Sequence, residues 1–151
     1  MALDDDIRIL SGVGLFEGFT REQLRLMAFG AEATPLKSGR KLYVEDDQAD
    51  SAYVVVSGRI GLYREMDGRH QAVGEVGPGS MLGELALIAD TRRLTSAAAI
   101  ADSELLRLNR SMFRRILEEY PDLAVILHRR ISDELQAMVR RIERLAPRFS
   151  S

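Results

Sequence analysis

Within residues 82–97, Leu-Gly-Glu-Leu-Ala-Leu-Ile-Ala-Asp-Thr-Arg-Arg-Leu-Thr-Ser-Ala, a glycine, a carboxylate, a short apolar turn and two arginines stand close together. A segment this compact can close around one phosphate. Gly83 lets the backbone approach a ligand, and the N–H groups of Leu85 and Ala86, opening a short helix, present the favourable end of the dipole to an anion. Arg93 supplies a fixed charge whose planar fork matches phosphate oxygens in a way lysine does not. Glu84 is the odd member. A carboxylate beside an anion site is repulsive unless it accepts hydrogen bonds from neighbouring hydroxyls, so the segment reads as a pocket for a phosphate that carries a sugar. Arg92 reads as solvent-facing.

Taken alone, Gly83-Glu84-Leu85 is ordinary helix-start chemistry, so its meaning rests on the elements around it. Leu3, Ile7 and Leu10 at helical spacing predict a first helix, broken at Ser11-Gly12. Thr20-Arg21-Glu22-Gln23 is a capping box opening a second helix, which carries Leu24, Leu26 and Met27 and fades at Gly30. From Ala33 the periodicity changes. Short apolar segments follow at 41–44, 51–56, 59–64 and 71–76, bounded by Lys37-Ser38-Gly39, Asp46-Asp47, Ser57-Gly58, Asp67-Gly68 and Gly77-Pro78-Gly79. Asp67-Gly68 between two alternating runs predicts a hairpin. Residues 95–101 and 104–108 read as closing strands about an Asp102-Ser103 turn. Evenly spaced short strands of this kind predict an antiparallel barrel or sandwich. After Asn109, Ser111 reads as the N-cap of a helix bearing Met112, Phe113, Ile116 and Leu117 on one face. Pro121 starts a last helix that runs to about Leu145, where Ala146-Pro147 stops it.

Gly83-Glu84-Leu85-Ala86-Leu87-Ile88, followed by Arg93 ten residues after the glycine, resembles the phosphate-binding cassette of cyclic nucleotide-binding domains. That family includes regulatory subunits of cAMP-dependent kinase, bacterial catabolite activators and cyclic-nucleotide-gated channels. Leu15-Phe16 before Thr20, Gly39 before a strand, Val56-Ser57-Gly58, Gly77-Pro78-Gly79 and Asp102 to Leu108 agree with it, so the resemblance covers roughly residues 10–145. It implies an α+β, mainly β fold: an antiparallel β-roll or jelly-roll barrel with N-terminal and C-terminal helices. One domain is expected over 1–151, with helices at about 3–30, the roll at about 33–108 including the cassette at 82–97, and helices at about 111–145. The implied function is a sensor or regulatory domain whose ligand, cAMP before cGMP, moves the C-terminal helices; no cofactor is implied. By the resemblance Glu84 holds the ribose 2′-hydroxyl and Arg93 the cyclic phosphate, while the backbone of Gly83, Leu85 and Ala86 completes the cradle.

One position departs from the family. After the arginine it usually has Ser, Thr or Ala, a position from which a hydroxyl, where present, can reach the phosphate or a guanine; here Leu94 stands, with Thr95 next. That counts first against cGMP. It also keeps open a second reading, a degenerate domain that binds no nucleotide and serves as a dimerisation or docking module. A one-residue shift would let Thr95 take the hydroxyl's role, although the spacing from Arg93 to Leu108 fits without one.

Composition narrows the remaining classes. The 151 residues, 46% hydrophobic, suffice for one sizeable core. A net charge of −2 argues against nucleic acid as the default partner. The absence of cysteine excludes disulfides, thiolate metal sites and cysteine nucleophiles together. The acidic start Met1-Ala2-Leu3-Asp4-Asp5-Asp6 is unlike a secretory signal and no apolar run approaches a membrane span, so a cytoplasmic protein is expected. His70 and His128 lie in no metal-ligand spacing, and Glu84 is the only acid beside the proposed phosphate, so no enzyme is expected. A helix-turn-helix follows the long helix of catabolite activators, whereas six residues follow Leu145 here, so transcription control is not expected. The seven arginines from Arg114 to Arg144 alternate with Glu118, Glu119, Asp133, Glu134 and Glu143, which reads as a solvated helix face. Ile131, Leu135, Met138, Ile142 and Leu145 alternate spacings of four and three. This stripe either packs on the barrel of its own chain or forms the seam of a homodimer; the sequence names no downstream effector.

Overall fold

Both periodicities of the sequence, 3.6 at the ends and 2 in the middle, are realised in a computed structural model that describes residues 2–145. Helix α1 (Ala2–Ser11) and a 3₁₀ turn (Gly14–Phe16) lead to α2 (Arg21–Gly30). The capping box closes in both directions: the Gln23 N–H donates to Thr20 Oγ1 at 3.2 Å and the Thr20 N–H to Gln23 Oε1 at 2.8 Å. The strands are β1 (Glu32–Leu36), β2 (Lys41–Tyr43), β3 (Gln48–Ala49), β4 (Ser51–Ser57), β5 (Ile60–Met66), β6 (Arg69–Val76), β7 (Met81–Leu82), β8 (Thr91–Arg92), β9 (Ser96–Ala99) and β10 (Ser103–Asn109). Helices α3 (Arg110–Glu119) and α4 (Pro121–Leu145) follow.

All pairings among these strands are antiparallel, in two four-stranded sheets ordered β1-β10-β4-β7 and β2-β9-β5-β6 and a small ribbon of β3 with β8. Mainly antiparallel sheets flanked by helices at both ends are the β-roll fold of cyclic nucleotide-binding domains, as expected. Asp67 and Gly68 both take positive φ, 55° and 76°, the twist that joins β5 tightly to β6. Strands β3, β7 and β8 have two residues each, too few to display an alternation. Strand β1 carries Pro35, tolerated because it lies at the edge of its sheet.

One expected cap is corrected. The N-cap of α3 is Asn109, whose Oδ1 accepts from the Met112 N–H at 2.8 Å. Ser111 sits inside the helix and donates its hydroxyl to the same Oδ1 at 3.0 Å. Asparagine's carboxamide reaches the third helical N–H from one turn earlier, so the helix begins at once after β10. The stop expected at Ala146-Pro147 lies outside the described residues. No helix among those described is long and apolar enough to cross a membrane.

Strand β4 explains how two cores are built from one wall. Ala52 and Val54 face the helices, in a cluster with Leu10, Phe16, Met27, Leu108, Phe113 and Leu127. Tyr53 and Val55 face the roll interior, with Ile60, Leu62, Leu82, Ala97 and Leu105. A strand buried on both sides has no polar face, which is why Ser-Ala-Tyr-Val-Val-Val reads as a continuous apolar run. At its end Gly58 has φ 92°, and a Cβ there would lie 2.6 Å from the Asp102 carbonyl and from Ser103 Cα. Ser103 Oγ pins the same turn, accepting the Arg59 N–H at 3.0 Å and donating to the Ala101 carbonyl at 2.8 Å. Gly58→Ala is therefore expected to lower stability by about 2 kcal/mol or more, measured by urea unfolding; an unchanged midpoint would show that the turn relaxes freely.

Candidate ligand-binding site

The segment 82–95 is held between the two cores. Gly83 takes φ 71° and caps a 3₁₀ turn over Glu84–Leu87, whose Ala86 and Leu87 are buried. A Cβ at Gly83 would collide with Arg93 Nη1, so the glycine is required by the close approach of the guanidinium as well as by its backbone angle. The backbone of Arg93 is locked in both directions to the turn after β2. Its N–H donates to the Asp47 carbonyl at 2.8 Å, and its carbonyl accepts the Asp46 N–H at 2.9 Å. Arg92 is exposed as expected, with Nη1 donating to the Asp46 carbonyl at 2.9 Å.

Arg93 itself is only 7% exposed. Its Cζ lies 4.3 Å from the centroid of the Tyr43 ring and 5.8 Å from that of Tyr53. Among the described residues no carboxylate forms an ion pair with it, and its buried Nε and Nη1 have no hydrogen-bond partner. Ring quadrupoles hold a cation at roughly 1–2 kcal/mol each, well below the several kcal/mol that desolvating a charge costs. The arrangement is incomplete without an anion.

Gly83, Glu84, Leu85, Ala86, Arg93, Leu94 and Thr95 all line one cavity. Their local roles differ from the expectation at three points. The Ala86 N–H donates to the Gly83 carbonyl at 3.0 Å, the tighter bonding of a 3₁₀ turn, and is not free for a ligand in this conformation. Leu94 stands at the rim, 37% exposed. Thr95 lines the cavity while being only 2% exposed, with its side chain hydrogen-bonded to the Tyr43 hydroxyl.

Helix α4 closes the cavity. Ile131, Leu135 and Met138 line it opposite Arg93, leaving about 40 Å³, far below the roughly 300–1,000 Å³ of small-molecule sites. The stripe thus packs on its own barrel, and Met138 and Ile142 also pack against the roll core. Of the two readings expected for the stripe, its packing on the barrel of its own chain is the one this structure displays at Ile131, Leu135, Met138 and Ile142. The solvated-face reading of α4 fails at Arg130, whose Nη1 donates to the Leu15 and Glu17 carbonyls at 2.9 and 2.7 Å; Glu134 is exposed, as that reading expects.

Burial pushes the Glu84 carboxyl up to about 7, its own backbone N–H opposing and the charge and hydrogen bond of Glu134 adding to the rise. Glu134 is raised by burial too, with its contact to Glu84 opposing the rise. Burial likewise pushes Tyr43 up to about 12 despite the adjacent Arg93. Elsewhere His70 pairs with Glu65 at 3.0 Å and stacks on Tyr63, and no metal-ligand cluster occurs among the described residues. Tyr43, Tyr53 and Glu134 are site residues that the sequence reading missed; only the Ile131 stripe carried a signal for the helix that brings Glu134.

Residues 33–120 match the cyclic nucleotide-binding domain family. The chain belongs to that family. It is 57% identical to a cyclic nucleotide-binding-like protein from Brucella abortus, over 76% of this chain and 99% of the other, with a TM-score of 0.70. The regulatory domain of Toxoplasma gondii PKA, solved with cAMP, is 27% identical with a TM-score of 0.71, covering 76% of this chain and 44% of that one. Neuropathy target esterase sws of Drosophila grimshawi is 39% identical over 87 residues, 57% of this chain and 6% of the esterase. The chain spans less than a tenth of the length of such curated relatives, and the match falls within the cyclic nucleotide-binding domain. A regulatory domain is what these relationships describe.

The Glu84 carboxyl, at about 7 in the fold against an ordinary 4.5, binds more proton folded than unfolded between those values. Its contribution to stability is complete below about pH 4.5 and is lost as pH rises towards 7. Urea unfolding at pH 5 and pH 7.5 is expected to show a loss of stability in the wild type that Glu84→Gln reduces. An equal pH response in both proteins would remove Glu84 as its source.

Proposed function

We infer that the cavity is the binding site of a cyclic nucleotide, cAMP before cGMP, and that binding is read out through α4. The observation that carries this is Arg93, a buried cation with two unpartnered N–H groups and no counter-charge. A cyclic phosphate supplies the missing anion, its two exocyclic oxygens matching the planar fork of the guanidinium. Gly83 keeps the approach open, the Leu85 N–H adds a donor at the turn, and Glu84 accepts the ribose 2′-hydroxyl once it is ionised. Leu94, Leu135 and Met138 offer apolar contact to a base and no donor or acceptor for the polar edge of guanine, which supports adenine. Since 40 Å³ admits only a few waters, the nucleotide enters as α4 moves, and that movement is the regulatory signal.

The filled cavity favours a second reading as well, a domain that has lost its ligand and docks another protein. A thermal-shift screen of cAMP, cGMP and cyclic dinucleotides separates the two, silence across the panel supporting docking. For the sensor, calorimetric titration with cAMP is expected to give binding weakened tenfold to a hundredfold or more by Arg93→Ala, from the loss of charge-assisted bonds worth roughly 1.5–3 kcal/mol each. Arg93→Met should stabilise the ligand-free fold by about 1 kcal/mol or more, because an unpaired buried charge is replaced by an apolar chain. It should also abolish the stabilisation by ligand, about 2.7 kcal/mol at a hundredfold excess over Kd. A Met variant that is less stable and still binds would take Arg93 out of the site.

A further inference from the structure

The turn that holds Arg93 does not hold itself. Residues 44–47 grip the Arg93 backbone through the Asp46 N–H and the Asp47 carbonyl, at 2.9 and 2.8 Å. Within the turn the Asp47 N–H donates to the Val44 carbonyl at 3.0 Å, and Asp47 Oδ2 accepts the Val44 N–H at 3.2 Å. Its centre is Asp46 at φ 71°, a left-handed backbone that a residue with a side chain keeps only where its surroundings impose it.

The imposing contacts converge on Glu45. Its N–H donates to Ser96 Oγ on β9 at 2.8 Å. Its Oε2 accepts from both Nε and Nη2 of Arg64, at 3.0 and 2.9 Å, and its Oε1 accepts the Glu65 N–H at 3.2 Å. Both oxygens of one carboxylate are thus committed to consecutive residues of β5. The Glu45 side chain is 18% exposed and that of Arg64 35%, so this pair is partly desolvated, unlike the fully solvated ion pairs that contribute little. Neither residue lines the cavity. Two positions before Glu45, Tyr43 sets its ring 4.3 Å from Arg93 Cζ. One stretch, 43–47, therefore grips Arg93 along its backbone and beneath its guanidinium, and Glu45 ties that stretch to β5.

We propose that Glu45 is a positioning residue for Arg93: through its ion pair with Arg64 it holds the turn in the conformation that aims the guanidinium into the cavity, while touching no ligand itself. The consequence for binding rests on the cyclic-nucleotide reading of the site; the consequence for Arg93 does not. Without the ion pair the Asp46 turn relaxes, the grip slackens, and Arg93 can leave the Tyr43 ring. A nucleotide must then order a long side chain that the wild type presents already ordered, and affinity falls by that cost.

The test uses the whole chain and two variants that break the same ion pair from opposite sides, Glu45→Ala and Arg64→Met. Gly58→Ala, which strains a turn outside the cavity lining, controls for a general loss of stability. Arginine Nε–Hε resonances are recorded by heteronuclear NMR without ligand, the Arg93 signal being the one missing from Arg93→Met. In the wild type the ring current of Tyr43 sets this signal apart. In both ion-pair variants it is expected to move towards the position of free arginine and to exchange faster with water, and in Gly58→Ala to stay in place. Calorimetry with cAMP should give a Kd raised about fivefold in each ion-pair variant, the ordering cost of one long side chain. The double variant should lose no more than either single one, because both changes remove one interaction. An Arg93 resonance unmoved in either ion-pair variant overturns the proposal, as does cAMP affinity equal to that of the wild type, or an equal loss of affinity in Gly58→Ala. A displaced resonance with no cAMP binding by the wild type or any variant leaves Glu45 as the residue that positions Arg93 and removes the nucleotide reading.

Discussion

A guanidinium buried without a counter-charge organises this protein. Leaving Arg93 desolvated is costly, and nearly every local feature of the roll can be understood as reducing that cost or fixing where the charge points. Strand β2 contributes Tyr43 beneath it and β4 contributes Tyr53 beside it. The turn at 44–47 clamps its backbone on both sides, and the missing side chain at Gly83 gives Nη1 its place. These groups come from three separate stretches of chain, so the cation is aimed by the closure of the roll as a whole. Two N–H groups are still unanswered, and a protein that keeps such a group against the interest of its own stability has reserved it for something from outside.

Helix α4 does two jobs with one face. Its first buried positions, Leu123, Leu127 and Ile131, complete the helix-side core. The next positions on the same stripe, Leu135 and Met138, are only partly buried and stop the pocket. The apolar pattern is continuous while the energetics change along it, from removal of a core residue to displacement of a cover. Competition between a ligand and a helix for the same apolar wall is a sufficient basis for regulation. It needs no rearrangement of the roll, whose β4 stands as a partition between the two cores.

What could be read from the sequence follows from how far each signal reaches. The capping box at Thr20, the Asp67-Gly68 hairpin and the helix opened by Pro121 are local, each decided by residues within four positions, and each is present as expected. The closeness of Gly83 to Arg93 was legible because a family spacing encodes it. Tyr43 was not: it stands fifty residues before Arg93, in a three-residue strand with no pattern of its own, and only the pairing of β2 with β9 brings it under the guanidinium. Glu134 was hidden differently. In sequence it is one more acid among alternating charges, and the course of α4 across the roll alone decides that it comes near another acid. Ser111 lost the cap to Asn109 because two capping residues two positions apart compete, and the end of β10 settles which of them has the extended backbone a cap requires.

The grip of Arg130 on two carbonyls of the N-terminal 3₁₀ turn has a mechanical meaning. It rivets the first ten residues of α4 to the opening helices, alongside the buried Leu123 and Leu127. The α4 movement proposed above would therefore pivot beyond Arg130 and carry the portion from about Ser132 onward. At 1.5 Å per residue that portion is a lever of about 20 Å, long enough to turn a small displacement beside a phosphate into a movement that a distant surface could register.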